Sequence, residues 1–342
     1  MKILKSFKIA NKKISDNSPA FIIAEIGINH NGSKSKCAKL IYEAYKSGAN
    51  AVKLQIADPN YSYAKNHPSY KEFKNKDLND ETLKKLINYA KSLGLSLFAT
   101  PGDFKSLQRV KNLKMPAIKI SSGLLSNLPL IKEASKVKVP IIFSTGMSYL
   151  KEVHEAVNLC KQKQNKIAIL KCTSIYPSPI KYLNLKGINE YKKIFKVPVG
   201  YSDHALGIDA SINAVGNGAK IIEKHFTLNK LEKGADHKIS IEPKEFKEMV
   251  EKIRNLESMM GDGILKPTKN EIKSRNNNLR KVVTLMNITK GEKISLNNVS
   301  LKRIKSGKKG IKLKNFYKIL GKRTSKNLRQ EEVLSINDIN KK

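Results

Sequence analysis

Gly200-Tyr201-Ser202-Asp203-His204, a helix-like stretch, and then Ala219-Lys220-Ile221-Ile222-Glu223-Lys224-His225-Phe226 form the segment whose reading decides the fold. Each histidine follows a short apolar run, 197–201 before His204 and 221–222 before His225, with a Gly-bounded helical pattern between them. The spacing predicts a strand, a crossover helix and a second strand, which puts both imidazoles at the same end of two neighbouring parallel strands. A divalent metal is the plainest use of such a pair, imidazole being the usual protein ligand. The histidines are too far apart for the helical HExxH pattern, so the metal reading depends on the fold. The plainer alternative is two histidines in polar turns with no shared partner.

Upstream, the same alternation recurs. Residues 21–26 are apolar except for Glu25, and a carboxylate on a buried strand is costly unless it lies at the strand's end or is paired, so Glu25 is a site candidate. Asn29-His30-Asn31-Gly32-Ser33 reads as a turn and helix cap, followed by a helical face of Ala38, Ile41, Ala44 and Tyr45 that ends at Gly48. Residues 51–56 form a strand with Lys53 and Gln55 turned inward; a helix over 80–92 leads to a strand over 95–99 closing on Thr100-Pro101. A helix over 104–113 precedes the strand that runs into Lys119, Ser121 and Ser122. Residues 129–136 are helical, 141–143 run into Ser144-Thr145-Gly146, a helix over 151–162 precedes 167–172, and that strand ends in Thr173-Ser174. A helix over 186–195 then reaches the opening segment.

Eight candidate strands alternating with helices, each closing on polar groups, give a (β/α)8 TIM barrel of the α/β class. In such a barrel the reactive groups gather at the carboxyl ends of the strands, so the polar endings make one site. Any one of them is explained as well by an ordinary polar turn. The set is not, because Lys53, Gln55 and Lys119 lie within strands where a charge or an amide must be satisfied inside the barrel.

After His225 come a polar loop, Lys233-Gly234-Ala235-Asp236-His237, and an amphipathic helix over 242–260 with Phe246, Met249, Val250, Ile253 and Leu256 on one face. Residues 266–281 are polar and read as a linker. Short apolar runs at 282–286, 299–301 and 333–336, with Gly at 291, 307, 310 and 321, predict a small, mostly β domain. The expected organisation is a barrel over 1–265, a linker over 266–281 and a small domain over 282–342.

Composition narrows the function. A chain of 342 residues with 40% hydrophobic content can bury a large core, and no apolar run approaches the roughly 18 residues of a membrane span. Residues 1–13 alternate apolar residues with Lys and have no signal-peptide core, so a cytoplasmic protein is expected. Cys37, Cys160 and Cys172 are scattered without CxxC spacing and read as reduced, structural thiols. A net charge of +37 invites a nucleic-acid partner, but only seven of the basic residues are Arg and none cluster with aromatics, whereas phosphate forks and base readout favour Arg. The lysines read mainly as solvated surface whose field would favour an anionic substrate.

At this point the chain resembles the sialic acid synthase family, whose members condense phosphoenolpyruvate with an N-acetylated amino sugar. The resemblance runs from about Phe21 to the C-terminus. It rests on Ile23-Ala24-Glu25-Ile26-Gly27-Ile28-Asn29-His30-Asn31-Gly32, Val52-Lys53-Leu54-Gln55, Lys119-Ile120-Ser121-Ser122-Gly123, Ser144-Thr145-Gly146-Met147, Lys171-Cys172-Thr173-Ser174-Ile175-Tyr176-Pro177, Tyr201-Ser202-Asp203-His204 and Glu223-Lys224-His225-Phe226. The tail, with Lys302-Arg303 and Gly321-Lys322-Arg323, is similar to the antifreeze-like (SAF) domain these synthases carry after the barrel.

The resemblance implies that His204 and His225 hold manganese or magnesium, which polarises the aldehyde of the open-chain sugar. Carbon 3 of phosphoenolpyruvate attacks that aldehyde, water adds at carbon 2, and phosphate leaves with its bridging oxygen. It places Lys53, Gln55, Thr100, Lys119, Ser122, Ser144, Ser174 and Ser202 at the phosphoenolpyruvate positions, Glu25 near the reacting carbons, and Tyr176, Asp236 and Arg303 on the sugar. The implied product is N-acetylneuraminate, made from N-acetylmannosamine or a similar sugar, with a legionaminate or pseudaminate synthase as the alternative.

One departure bears on the acceptor. Relatives carry an acid directly after the Ser-Gly at the end of the fourth strand, where this chain has Leu124; Glu133 and Asp103 are the candidate substitutes. The polar stretch 266–281 could span roughly 50 Å if extended, at about 3.3–3.6 Å per residue, so a homodimer is expected in which the small domain of one chain caps the wide barrel mouth of the other. Two rivals from other classes stand beside the enzyme: a basic nucleic-acid-binding protein, which leaves interior Lys53 and Lys119 without a role, and a non-catalytic barrel, against which the intact Glu25, His204, His225 and Asp236 argue.

Overall fold

Each apolar run becomes a strand where its β-branched residues are covered on both faces, as a parallel sheet requires. The computed structural model of the chain describes residues 4–163, 166–305 and 307–340. A short hairpin comes first, β1 (Phe7–Ile9) paired with β2 (Lys12–Ile14), and its Phe7, Ile9 and Ile14 are buried in the core. Sequence reading saw only a basic leader here.

The barrel strands follow as β3 (Phe21–Gly27), β4 (Ala51–Ile56), β5 (Ser96–Pro101), β6 (Ile118–Ile120), β7 (Ile141–Ser144), β8 (Ile167–Cys172), β9 (Val199–Asp203) and β10 (Ile221–His225). All pair in parallel with their chain neighbours, and β10 pairs with β3 to close the barrel. The expected α/β TIM barrel is the architecture found.

Helices expected over 80–92 and 104–113 appear as Asp80–Ser92 and Phe104–Asn112, the second capped by the Asp103 side chain. The amphipathic helix is Pro243–Met260, with Phe246, Met249, Val250 and Ile253 buried as its spacing required. Tyr45 departs from expectation: in helix Lys34–Lys46 the buried face is Cys37, Leu40, Ile41 and Ala44, and Tyr45 is exposed. Between β4 and helix Asp80–Ser92 the chain makes an excursion containing two short helices, Pro59–Ser62 and Pro68–Phe73, each opened by a proline.

The chain divides into two units, Met1–Gly261 and Asp262–Lys342. The segment read as a linker contains helix Lys269–Asn278, opened by a reciprocal cap in which Glu271 donates its N–H to Thr268 Oγ1 (3.2 Å) and accepts the Thr268 N–H at 2.7 Å. The second unit has strands β11 (Lys281–Thr284) and β12 (Val299–Lys302), paired antiparallel, and its own core of Val282, Ile288, Ile294, Val299, Leu328 and Leu334 among others. Among the described residues no helix is long and apolar enough to cross a membrane.

Candidate active site

Strand register assembles the site. Glu25 lies level with Lys53 on one side and His225 on the other, Gln55 with Thr100, and Ser202 with both Glu223 and Cys172. Side chains alternate along a strand, so those at inward positions converge on the barrel axis at its carboxyl end.

At the bottom lies a four-membered charge network. Lys53 Nζ is 3.1 Å from Glu25 Oε2 and 3.7 Å from Glu223 Oε2, and it donates to Thr100 Oγ1 at 3.1 Å. Lys119 Nζ is 3.8 Å from Glu223 Oε1 and donates to Ser144 Oγ at 2.6 Å and to the Ile120 carbonyl at 3.1 Å. Ser202 donates to Glu223 Oε1 at 3.0 Å, and Gln55 donates to Glu25 Oε1 at 3.0 Å. All four charged groups are buried.

The two acids separate electrically. Burial raises Glu25 above the usual carboxylate range more than Lys53 lowers it, with the nearby Glu223 charge adding to the rise. Burial also pushes on Glu223, but Lys119, Lys53 and the Ser202 hydroxyl overcome it and hold its carboxyl low. Burial, with the neighbouring Lys53 charge assisting, brings Lys119 down to about 8 against the pull of Glu223, whereas Lys53 is raised because its two carboxylates outweigh its burial. One Glu223 oxygen and one Glu25 oxygen, both Oε2, lack a hydrogen bond although Lys53 stands near each. Two interior cations thus face one acid held ionised, Glu223, and a second, Glu25, that burial pushes toward its neutral form, which makes the network receptive to an anionic ligand.

Above this network stand the histidines. Their ring centroids are 5.4 Å apart, and the Tyr176 ring lies 4.2 Å from His204 and edge-on to His225 at 6.4 Å. His204 Nδ1 faces the Thr173 carbonyl at 3.0 Å, which fixes a hydrogen there and makes Nε2 the nitrogen a metal could take once it is deprotonated; burial lowers this imidazole, but hydrogen bonding and charge from Cys172 raise it above its ordinary value. His225 Nδ1 is buried without a hydrogen bond, 3.8 Å from Asp236 Oδ2. Burial, then the His204 and Lys53 charges, hold His225 well below its ordinary value, which keeps it in the neutral form a metal needs. Among the described residues no third His, Cys, Asp or Glu completes a ready ligand set with them. His204 and His225 are the pair of described residues that could hold a metal here.

A cavity of about 500 Å³ opens over these groups. Of the residues singled out in the sequence, Gln55, Thr100, Ser122, Ser174, Tyr176, His225 and Asp236 line it. Glu25, Lys53, Lys119, Ser144, Ser202 and His204 are buried and belong to the layer joined to that lining by the contacts above. Arg303, exposed just beyond β12, belongs to the second unit. Two glycines make room. Gly27, at φ +55°, would put a Cβ 3.3 Å from Glu25 Oε1 and 3.5 Å from Asp236 Oδ2. Gly146 would put one 2.1 Å from Ser174 Oγ and 2.8 Å from Ser122 Oγ, and its N–H donates to Ser122 Oγ at 3.0 Å.

Leu124 lines the cavity, in the turn after β6. Neither suggested replacement acid does. Asp103 is consumed as a helix cap, accepting from Asp58 N, Ser62 Oγ and both Ser106 donors, and Glu133 is paired with Lys136 on helix Leu128–Lys136. The acids that line the cavity are Glu72 and Asp236.

Sequence reasoning missed three contributions. Glu223 was legible in principle, since it sits two residues before His225 on one strand and so shares its face. Cys172, expected as a structural thiol, lies 3.7 Å from His204 Nδ1 and from Ser174 Oγ; burial opposes its ionisation, but hydrogen bonding and charge from His204 bring it down to about 7. The excursion after β4 supplies Ser62, Tyr63, Ser69, Glu72 and Phe73 to the cavity wall; its mix of Pro, Tyr, Lys and Asn has no period to read.

Comparison with known proteins follows the same lines. The NeuB family model matches residues 40–265. The N,N'-diacetyllegionaminic acid synthase of Campylobacter jejuni is 40% identical over 335 residues, covering 92% of this chain and 98% of that protein. The pseudaminic acid synthase of the same organism is 33% identical, covering 93% and 96%. The crystal structure of the N-acetylneuraminic acid synthetase of Leptospira borgpetersenii, in complex with citrate, matches with a TM-score of 0.76 at 32% identity, covering 81% of this chain and 98% of that one.

Proposed function

The chain belongs to the NeuB family of sialic acid synthases, which condense phosphoenolpyruvate with an acetylated amino sugar, and from that premise we propose that its acceptor is a diacetamido sugar rather than N-acetylmannosamine. The observation that carries this choice is Leu124, an apolar side chain lining the cavity at the position where the family resemblance leads one to expect an acid. A leucine offers contact to a methyl or acetyl group and no acceptor for a hydroxyl hydrogen. The similarity to the N,N'-diacetyllegionaminic acid synthase supports the same acceptor class. N-acetylneuraminate synthesis is the second reading, favoured by the structural match to the Leptospira synthetase.

In this reading Lys53 and Lys119 bind the phosphate and carboxylate of phosphoenolpyruvate, with Thr100, Ser122, Ser144, Ser174, Ser202 and Gln55 as hydrogen-bonding partners. Because burial pushes Glu25 toward its neutral acid, Glu223 alone does not balance Lys53 and Lys119, and the anionic donor supplies the missing negative charge. Glu25, raised by burial, can give or take a proton beside the reacting carbons, while Glu223 stays ionised and fixes both lysines and Ser202. His204 and His225 would hold manganese or magnesium. When bound, that ion supplies Lewis acidity toward the acceptor aldehyde. Tyr176 and Asp236, both on the cavity wall, orient the open-chain sugar beside the histidines.

Phosphate release from phosphoenolpyruvate, measured with the diacetamido precursors of legionaminate and pseudaminate and with N-acetylmannosamine, tests the acceptor. A diacetamido sugar is expected to have kcat/KM higher by at least about tenfold, the scale on which one pocket contact discriminates. Preference for N-acetylmannosamine would return the assignment to the second reading.

A further inference from the structure

His225 lines the cavity with His204 buried beside it, and directly behind them, on the outer face of the barrel, is a second charged pair. Lys224 and Asp203 occupy matched register positions on β10 and β9, immediately before His225 and His204. Their side chains are fully buried, with Lys224 Nζ 3.0 Å from Asp203 Oδ2. Neither touches the cavity, so the chemistry described above does not use them.

What they do touch is the backbone of Ala205, just after His204. Asp203 Oδ1 accepts the Ala205 N–H at 2.9 Å, and Lys224 Nζ donates to the Ala205 carbonyl. Asp203 Oδ2 also accepts the Ser211 hydroxyl at 2.7 Å, from the helix Asp209–Gly216. The His204 carbonyl meanwhile accepts the Ser178 N–H at 2.9 Å. The residue after His204 is thus gripped through both of its peptide groups, by Asp203 at the end of β9, which Ser211 of the helix braces, and by Lys224 of the neighbouring β10.

A buried ion pair is weak evidence for stability, because desolvation offsets most of its Coulomb energy and apolar replacements are often as stable. Its directionality is another matter. Beyond the end of β9 no strand ladder orients His204, and the ring must meet its counterpart on β10 within tenths of an ångström to share an ion. We propose that Asp203 and Lys224 are positioning residues that lock the His204 loop onto β10 and so set the separation of the two imidazoles. The inference rests on the reading of the histidines as metal ligands.

Binding of manganese alone to the full-length protein, by titration with detection of free ion by electron paramagnetic resonance, tests it. Asp203→Asn and the paired swap Asp203→Leu with Lys224→Met should each weaken manganese binding at least tenfold. Phosphoenolpyruvate binding without metal should stay within twofold, and hydrogen exchange at the Ala205 amide should accelerate. A role in folding alone would not separate the two ligands. Folded variants with wild-type manganese affinity overturn the proposal. If neither variant folds, Ser211→Ala decides, since it removes one Asp203 bond and strands no charge: about threefold weaker manganese binding supports the lock and unchanged binding refutes it. His204→Ala in the same titration keeps the two ideas apart. If it leaves manganese bound, the metal assignment has failed, and the lock is then judged by hydrogen exchange at Ala205, where unchanged protection in Asp203→Asn refutes it.

Discussion

At the residue scale the account turns on Glu223, which holds both interior lysines. Glu223→Gln leaves two buried ammonium groups sharing one acid, and removal of one partner from a buried pair typically costs about 3–5 kcal/mol. Urea denaturation should show that loss, and saturating phosphoenolpyruvate should restore part of it, because the donor supplies the missing negative charge; no restoration would mean that the anion binds elsewhere. Lys119 gives a pH dependence. Burial holds it at about 8, so the anion-binding ammonium form is present below that value and lost above it. The KM for phosphoenolpyruvate should therefore rise as pH climbs past about 8, while Lys119→Met should bind the donor weakly with no such rise. A wild-type KM that stays flat to pH 9 would contradict this. Lys53 and Lys119 were legible because a lysine inside an apolar strand demands a partner; Glu223 and Cys172 were not, because an acid beside Lys224 reads as an ordinary charge pair and an isolated thiol as core, although alternation from His225 and along β8 puts both on the inner face.

At the element scale the barrel was legible because every strand is a brief apolar run with a polar ending, and every helix following it carries an apolar face. Boundaries came within a few residues wherever a cap was visible, as at Asp103. The turn after β6 and the excursion after β4 were less so, and they shape the wall that faces the acceptor. Leu124→Glu restores a hydrogen-bond acceptor on that wall. It should shift acceptor preference toward the sugar with more hydroxyl groups, by about tenfold in the ratio of kcat/KM, with little change in the KM for phosphoenolpyruvate; an unchanged ranking would remove Leu124 from the specificity argument. The polar stretch before the second unit was read as a linker, yet Thr268-Lys269-Asn270-Glu271 is a capping-box sequence and opens a helix.

At the scale of the whole molecule, the polar stretch 266–281 and a second set of short apolar runs lead to the expectation of two domains; the chain divides into Met1–Gly261 and Asp262–Lys342, each with its own core. Assembly is a proposal: a homodimer in which the second unit of one chain brings Arg303 to the acceptor held by the other. Mixing Arg303→Ala chains with His225→Ala chains should recover activity that neither homodimer has, and a verified heterodimer with none would confine the cap to its own chain. The central claim is condensation of phosphoenolpyruvate with an amino sugar, and phosphoenolpyruvate labelled with oxygen-18 at the bridging position tests it most directly. The account predicts that labelled phosphate is released only when an N-acetylated amino sugar is present, together with a nine-carbon acid; label-free phosphate, or release independent of the sugar, would contradict it.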